Sequence, residues 1–279
     1  MNEAVARMAG NVVYQRIGVP VEARLNSVPE RSLEVSPFGV EPLAGFSVRY
    51  RPGWRSAEAE LVPGEFSAPL IAQMGRVGPE GRSAFAAFAE SLTGRKTQLH
   101  FRVNGVNTPP SECSQWPEEW TSIELRARSA FQEIRTEDLA QALSLISGLV
   151  VPIFGMAVAL VGVEDHDEDV YGATEGNPIQ TISTHYERKK VNREACIQLK
   201  GVRCRACQFN FEEFYGPRGA GYVEIHHTTP VSQLGPDYRL NITRDLEPLC
   251  ANCHAMVHRT SPPLRIEELT EQILAQRRR

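Results

Sequence analysis

The chain has 279 residues, of which 42% are hydrophobic and 23% are charged, and its formal net charge is −4. This composition is typical of a folded globular protein and excludes a disordered chain. Six cysteines are too few for a secreted disulfide scaffold of this length. The first residues show no basic segment followed by an apolar run, so we expect a cytoplasmic protein without a secretory signal.

The charge is unevenly distributed between the two parts of the chain. Residues 184–279 contain 15 Lys and Arg against 11 Asp and Glu, a net charge of +4, whereas residues 1–183 carry a net charge of −8. The C-terminal part is therefore the better candidate for contact with DNA phosphates. The total length suggests two domains.

The N-terminal part shows a mixture of strand-like and helical patterns. Alternating apolar and polar residues predict strands over 45–51, 97–103 and 121–127. Helical spacing lies between them, over 67–77 and 81–92, and Asn104-Gly105 predicts a tight turn. We therefore predict a mixed α/β domain over residues 1–163.

Three tryptophans stand out in this N-terminal part: Trp54, Trp116 and Trp120. Aromatic side chains of this kind can line a pocket for a base flipped out of a DNA duplex. Packing in the core and at sheet edges is the more common use of tryptophan, and we favour it for each of the three.

The segment from Leu139 to Val163 contains no charged residue and is long enough to span a bilayer. We interpret it as a buried pair, a helix that ends near Gly148 and a strand over 153–163 that follows a break at Pro152. The segment is followed by an acidic run rather than by the basic residues expected beside a cytoplasmic membrane surface. We therefore predict no membrane partner.

Residues 164–183 are acidic and then rich in Gly, Asn and Pro, which predicts a linker between two domains. A helix should follow, with a capping box formed by Thr184 and Glu187 and an end at Gly201. Its basic side chains are candidates for contact with DNA phosphates: Arg188, Lys189, Lys190 and Arg193. A solvated charged face is an equally weighted alternative.

Two Cys-x-x-Cys pairs lie further along the chain, Cys204 with Cys207 and Cys250 with Cys253. Four thiolates at this spacing are typical of a structural zinc site with tetrahedral geometry. A domain this small has little core of its own, so loss of the zinc should unfold it.

Four histidines are interleaved with the cysteines. His226 and His227 end a predicted strand, where neighbouring side chains point to opposite faces and should serve different roles. His254 and His258 are four residues apart in a predicted helix, so that they share one face and can bind one ion together. Imidazole ligands alone do not select the metal.

Together these residues resemble the HNH, or ββα-metal, nuclease family, and the segment is most similar to the McrA-like restriction endonucleases. The bacterial colicin DNases are also similar around the histidine pair and the helical His-x-x-x-His. The resemblance covers roughly residues 184–259. It implies an α+β protein in which an N-terminal mixed α/β sensor domain, residues 1–163, precedes a small zinc-stabilised ββα-metal HNH nuclease domain, residues 184–279.

The resemblance also implies a role for each residue of the motif. His227 would be the general base that activates water. His226, His254 and His258 would hold the catalytic divalent metal, Mg²⁺, Mn²⁺ or Ni²⁺. Asp245 takes the place of the family's base-orienting Asn, and Asn241 and Asn252 remain alternatives for that role.

The leading hypothesis is an endonuclease for double-stranded DNA, a restriction or phage-defence enzyme whose N-terminal domain recognises modified bases. A second hypothesis is a nonspecific defence nuclease that is switched on when a small molecule or a partner binds the N-terminal domain. A third is a non-catalytic zinc module that binds DNA, which leaves three histidines without a role. A homodimer is plausible, because cutting both strands needs two active sites or two events.

Overall fold

The computed structural model describes residues 3–26, 31–93, 97–130, 139–162, 188–228, 240–260 and 262–277. They divide into two compact units, Met1–Glu194 and Ala195–Arg279. The predicted linker over 164–183 and the predicted capping box of Thr184 and Glu187 lie outside the described residues. The predicted domain boundaries therefore stay a prediction.

The first unit is built on a seven-stranded antiparallel sheet. Helix α1 (Glu3–Ile17) precedes the strands β1 (Val21–Asn26), β2 (Ser32–Pro37), β3 (Phe46–Pro52) and β4 (Ser56–Pro63). The chain continues through α2 (Ala68–Gly75), α3 (Pro79–Thr93), β5 (Thr97–Val103), β6 (Val106–Asn107), β7 (Ile123–Ala130) and α4 (Leu139–Val161). The strand order is β1-β2-β3-β4-β7-β5-β6, and every neighbouring pair is antiparallel.

One face of this sheet is covered and the other carries charged side chains. In β7, Ile123, Leu125 and Ala127 are buried, whereas the residues between them are exposed. The buried side packs against α4, which contacts β3, β4 and β7. On the opposite side, charged residues pair across strands, as Arg49 does with Glu60. This alternation is typical of an antiparallel sheet with a single covered face.

The predicted elements of the first unit are largely confirmed. The three predicted strands correspond to β3, β5 and β7, and the two predicted helices correspond to α2 and α3. Asn104 and Gly105 have φ values of 52° and 76° and connect β5 to β6. Two residues with positive φ are what a tight type I′ hairpin turn requires.

The predicted helix–strand pair after Leu139 is wrong, because the segment forms the single helix α4 with Pro152 inside it. A proline within a helix costs about 3 kcal/mol. Burial outweighs this cost, since nearly every side chain from Leu149 to Leu160 is inaccessible to solvent. Helix α4 is long and apolar enough to cross a membrane, but it packs as the central helix of this unit.

Core packing is confirmed for two of the three tryptophans. Trp116 and Trp120 are 5% and 3% exposed and pack against each other and against Phe101. Their indole N–H groups donate to the backbone carbonyls of Pro109 and Pro117. The two rings are therefore part of the core, whereas the packing prediction is wrong for Trp54, which is 83% exposed.

The second unit contains a short β-hairpin followed by a helix. Helix α5 (Arg188–Lys200) crosses the point of division and ends, as predicted, at Gly201, whose φ is 80°. The chain then forms α6 (Phe211–Tyr215), β8 (Glu224–His227), α7 (Ile242–Asp245), β9 (Leu246–Leu249), α8 (Ala251–Val257) and α9 (Ile266–Arg277). Strands β8 and β9 pair antiparallel, with His226 opposite Glu247 and His227 opposite Leu246. The predicted mixed α/β fold class is confirmed.

Candidate active site

The four cysteines of the two Cys-x-x-Cys pairs come together in the second unit. Their sulfur atoms all lie within 4.8 Å of one another, and the Sγ atoms of Cys207 and Cys250 are 3.7 Å apart. Tetrahedral zinc with Zn–S bonds of about 2.3 Å places sulfurs about 3.8 Å apart. Cys204, Cys250 and Cys253 are also part of this unit's small buried core. The cluster has the geometry of the predicted structural zinc site.

The electrostatics of the cluster also fit a bound cation. Burial and the nearby Cys204 thiolate, opposed by a hydrogen bond from the Cys253 backbone, together raise the pKa of Cys250 to about 11. Burial and the neighbouring thiolates raise the pKa of Cys253 as well. Several buried thiolates at this separation repel one another unless a metal ion compensates their charge. Zinc at this position would therefore stabilise both the deprotonated cysteines and the core they belong to.

Three of the four histidines form a second cluster. His226, His254 and His258 each offer one ring nitrogen, and these nitrogens all lie within 4.8 Å of one another. The ring centroids of the three pairs are 5.4, 5.0 and 4.9 Å apart. Strand β8 supplies the first histidine and the end of α8 supplies the other two. The structure thus brings together the three predicted ligands of the catalytic metal.

His226 lies deepest in this cluster. Its exposed fraction is 3%, and Nδ1 is buried without a hydrogen-bond partner among the described residues. Burial, followed by the charges of His258 and His254, lowers its pKa to about 4. The ring is therefore neutral near pH 7 and has a lone pair available. A buried imidazole with an unpaired nitrogen, in a cluster with two other histidines, fits a metal ligand.

A carboxylate that the sequence analysis did not select supports the cluster. Glu224 Oε2 lies 2.5 Å from Nδ1 of His254, and Tyr222 Oη donates to Glu224 Oε1 at 3.4 Å. A hydrogen bond to one ring nitrogen fixes the tautomer and leaves the other nitrogen for a metal. The sequence did contain the signal, because Glu224 and His226 are two residues apart in a strand and share a face.

His227 is separated from the cluster of three histidines by the pleat of the strand. His226 is buried, whereas its neighbour His227 is exposed. Partial burial lowers the pKa of His227, Asp245 raises it, and the charge of His254 lowers it again. The two adjacent histidines therefore occupy different environments, and His227 lies within electrostatic reach of both His254 and Asp245.

Asp245 is buried at the end of α7, with an exposed fraction of 3%. Its carboxylate accepts from the backbone N–H of Asn241 at 2.8 Å and from Nε of Arg244 at 2.7 Å. The side-chain oxygen of Asn241 caps α7 by accepting from the backbone N–H of Arg244. Asn252 is exposed on α8. The charge of Asp245 raises the pKa of His227, whereas the two asparagines carry no charge, so the choice among the three candidates for orienting that ring stays a prediction.

The predicted DNA-binding residues lie at the start of α5. Lys190 is exposed, Arg193 is half-buried, and the side chains of Arg188 and Lys189 lie outside the described residues. The aliphatic part of Lys190 packs beside Gly18, where an added Cβ would lie 2.4 Å from Lys190 Cδ. The contact of these four residues with DNA stays a prediction.

Comparison with known families identifies the second unit. Residues 204–260 match the family model described as HNH endonuclease. The match begins at Cys204 and extends past His258, so that it contains both the cysteine and the histidine clusters. No curated protein and no solved structure matches the chain. The predicted resemblance to the HNH family is thus confirmed for this segment.

Proposed function

We propose that this chain, in which residues 204–260 form an HNH endonuclease domain, hydrolyses phosphodiester bonds of double-stranded DNA. The observation that carries the proposal is the arrangement at the end of β8. Three histidines each offer a ring nitrogen to one point, and a fourth, His227, lies beside them in an environment of its own. A simple zinc module would need the cysteines but has no use for this second cluster.

In the proposed reaction, His227 is the general base. Its neutral imidazole takes a proton from water, the water oxygen attacks phosphorus, and one ester P–O bond breaks. Asp245 keeps the ring oriented and favours the imidazolium that forms, because its negative charge raises the pKa of His227. The departing oxygen takes a proton from a solvent water, so that the products are a phosphate monoester and a free hydroxyl.

His226, His254 and His258 would hold one divalent ion, with His254 presenting Nε2 because Nδ1 faces Glu224. When bound, such an ion supplies positive charge that stabilises the phosphorane and the leaving oxygen. The cysteine cluster would hold a separate structural Zn²⁺. Three imidazole donors suit Ni²⁺ better than Mg²⁺ or Mn²⁺, whose preferred ligands are oxygens.

We further propose that the enzyme serves in restriction or phage defence in the cytoplasm, and that the first unit directs it to modified DNA. Support comes from the size of the nuclease segment, which leaves most of the chain for recognition, and from the resemblance to McrA-like enzymes. A homodimer would place two active sites on one duplex. Gating by a small molecule remains the competing role for the first unit.

Cleavage assays separate these functions. Plasmid DNA and modified and unmodified phage genomes are incubated with the full chain and with Mg²⁺, Mn²⁺ or Ni²⁺ in turn. Restriction of modified DNA predicts cleavage of the modified genome alone. A gated nuclease leaves both genomes intact until its activating molecule is added. Binding of both genomes without cleavage under every metal would refute restriction of modified DNA and leave the gated nuclease and the zinc module.

A further inference from the structure

The β3–β4 hairpin of the first unit presents an exposed tryptophan at its tip. The backbone N–H of Gly53 donates to the carbonyl of Ser56 at 2.7 Å, so that Trp54 and Arg55 form the two-residue loop. Trp54 is 83% exposed, which is the highest exposure of any large apolar residue in the described part of the chain. Leaving an indole ring of this size in water forgoes a burial free energy of about 2–3 kcal/mol.

The conformation of the turn does not select the two tip residues. Neither Trp54 nor Arg55 has a positive φ, so the turn does not need the Asn, Asp or Gly residues that such a conformation favours. Because the backbone accepts most residue types here, the turn does not account for a large aromatic beside a cation.

The surroundings of the tip are basic. Arg55 is exposed beside Trp54, and the Arg128 guanidinium on the neighbouring strand β7 donates to Ser56 Oγ at 3.2 Å. Within the described residues neither arginine forms an ion pair. Arg51 differs, because it is engaged by Glu58 and Glu60 at 3.2 and 2.8 Å. The tip thus combines one aromatic surface with two cations available to phosphates.

We propose that the Trp54–Arg55 tip is a DNA contact, in which the indole stacks on an unpaired or unstacked base while Arg55 and Arg128 bind the adjoining phosphates. An aromatic ring flanked by cations matches the two parts of a nucleotide, its apolar base and its anionic phosphate. The proposal rests on the proposed function, since the nuclease domain is what makes DNA the expected partner. It places a DNA-contact site of the first unit at the tip of the β3–β4 hairpin.

The tip can be tested through its own fluorescence. Trp116 and Trp120 are buried, so that quenching by acrylamide reports mainly on Trp54. A His227→Ala background prevents cleavage during the measurement. The probes are a fully paired duplex and the same duplex with one unpaired base. We expect DNA to protect Trp54 from acrylamide, and Trp54→Ala to weaken binding about 5- to 100-fold, more strongly for the duplex with the unpaired base.

Matched variants make the result decisive. Trp54→Phe retains a stacking ring and should restore most of the affinity, and Arg55→Ala should weaken binding and lower its salt dependence. Phe66→Ala removes another exposed aromatic, 62% exposed, beyond the far end of β4 and should leave binding unchanged. Equal affinity of Trp54→Ala and the parent, with Trp54 still quenched in the presence of DNA, would overturn the proposal.

A failure of the proposed nuclease function would give different results from a failure of the proposed DNA contact. If the parent chain cleaves no DNA but Trp54→Ala still loses affinity, the contact stands and the enzymatic proposal falls. If DNA is cleaved normally by the Trp54→Ala chain with unchanged affinity, the nuclease stands and the contact falls. If Trp54 becomes protected from acrylamide in the absence of DNA as the protein concentration rises, the chain self-associates through the tip. This result would also reject the proposed DNA contact.

Discussion

The carboxylate of Glu224 lies 2.5 Å from Nδ1 of His254, one of the three clustered histidines. The contact joins β8 to α8 and occupies one nitrogen of the imidazole, which leaves the other nitrogen for a metal ion in the cluster with His226 and His258. Carboxylate–histidine pairs of this kind raise the basicity of a metal ligand and fix its tautomer. Glu224 is therefore expected to act through His254 rather than on the substrate.

Glu224→Gln tests this positioning role. The amide keeps the size of the side chain but removes the negative charge, so we expect a loss of about 10- to 100-fold in affinity for the catalytic metal. Titration of Ni²⁺ or Mn²⁺ into zinc-loaded protein measures the affinity directly. Tyr222→Phe, which removes only the 3.4 Å contact to Glu224, is the matched control and should change the affinity little. Unchanged metal affinity in Glu224→Gln would refute the role.

Removal of the structural zinc should unfold the second unit. Apparent binding free energies of structural zinc in small domains are about 10–16 kcal/mol, far above what a small core supplies. Cys253→Ala removes one ligand and should abolish bound zinc and the helical circular dichroism of this unit. The free cysteine Cys113, which lies in the first unit, offers the control Cys113→Ala with zinc content unchanged. A folded, zinc-free Cys253→Ala protein would contradict the assignment.

The pH dependence of cleavage should follow His227. A general base must be neutral, so activity falls as the pH drops through its pKa. Burial holds this pKa below the ordinary value, and a bound divalent ion acts in the same direction. Asp245 raises the pKa, so Asp245→Asn should move the acidic limb of the rate profile to lower pH. A shift to higher pH would show that Asp245 does not act on His227 in this way.

The basic residues at the start of α5 should contribute to DNA affinity without reading its sequence. Arg188→Ala should lower the slope of log K against log salt by about 0.9 if one phosphate contact is lost. Arg265→Ala, which removes an exposed arginine paired with Glu267, is the control and should leave the slope unchanged. An unaltered slope in Arg188→Ala would favour the solvated-face interpretation.

The second unit could be predicted closely from the sequence, because its site depends on local spacing. The i, i+4 relation of His254 and His258 and the paired Cys-x-x-Cys motifs determine their geometry almost independently of the rest of the chain. The contact between Glu224 and His254 joins two elements 30 residues apart. The spacing of residues along the sequence does not predict such contacts. The alternation of side chains in a strand does place Glu224 on the same face of β8 as His226.

The first unit was harder to predict, because tertiary burial decides its structure. Helix α4 continues through Pro152, since a fully buried environment outweighs the local preference of proline for a break. Half of the six residues that helix α1 buries are small, namely Ala6, Ala9 and Gly10, and such residues give a weak apolar pattern. The exposure of Trp54 is likewise set by its position at the hairpin tip, which composition does not reveal.

Cleavage by His227→Ala is the most direct test of the central claim that His227 is the base of an HNH endonuclease. The variant should lose about 100- to 10,000-fold in cleavage rate while it keeps its zinc content, its affinity for the catalytic metal and its binding of DNA. His100→Ala, a histidine of β5 in the first unit, should cleave like the parent. Undiminished, divalent-dependent cleavage by His227→Ala would contradict the account.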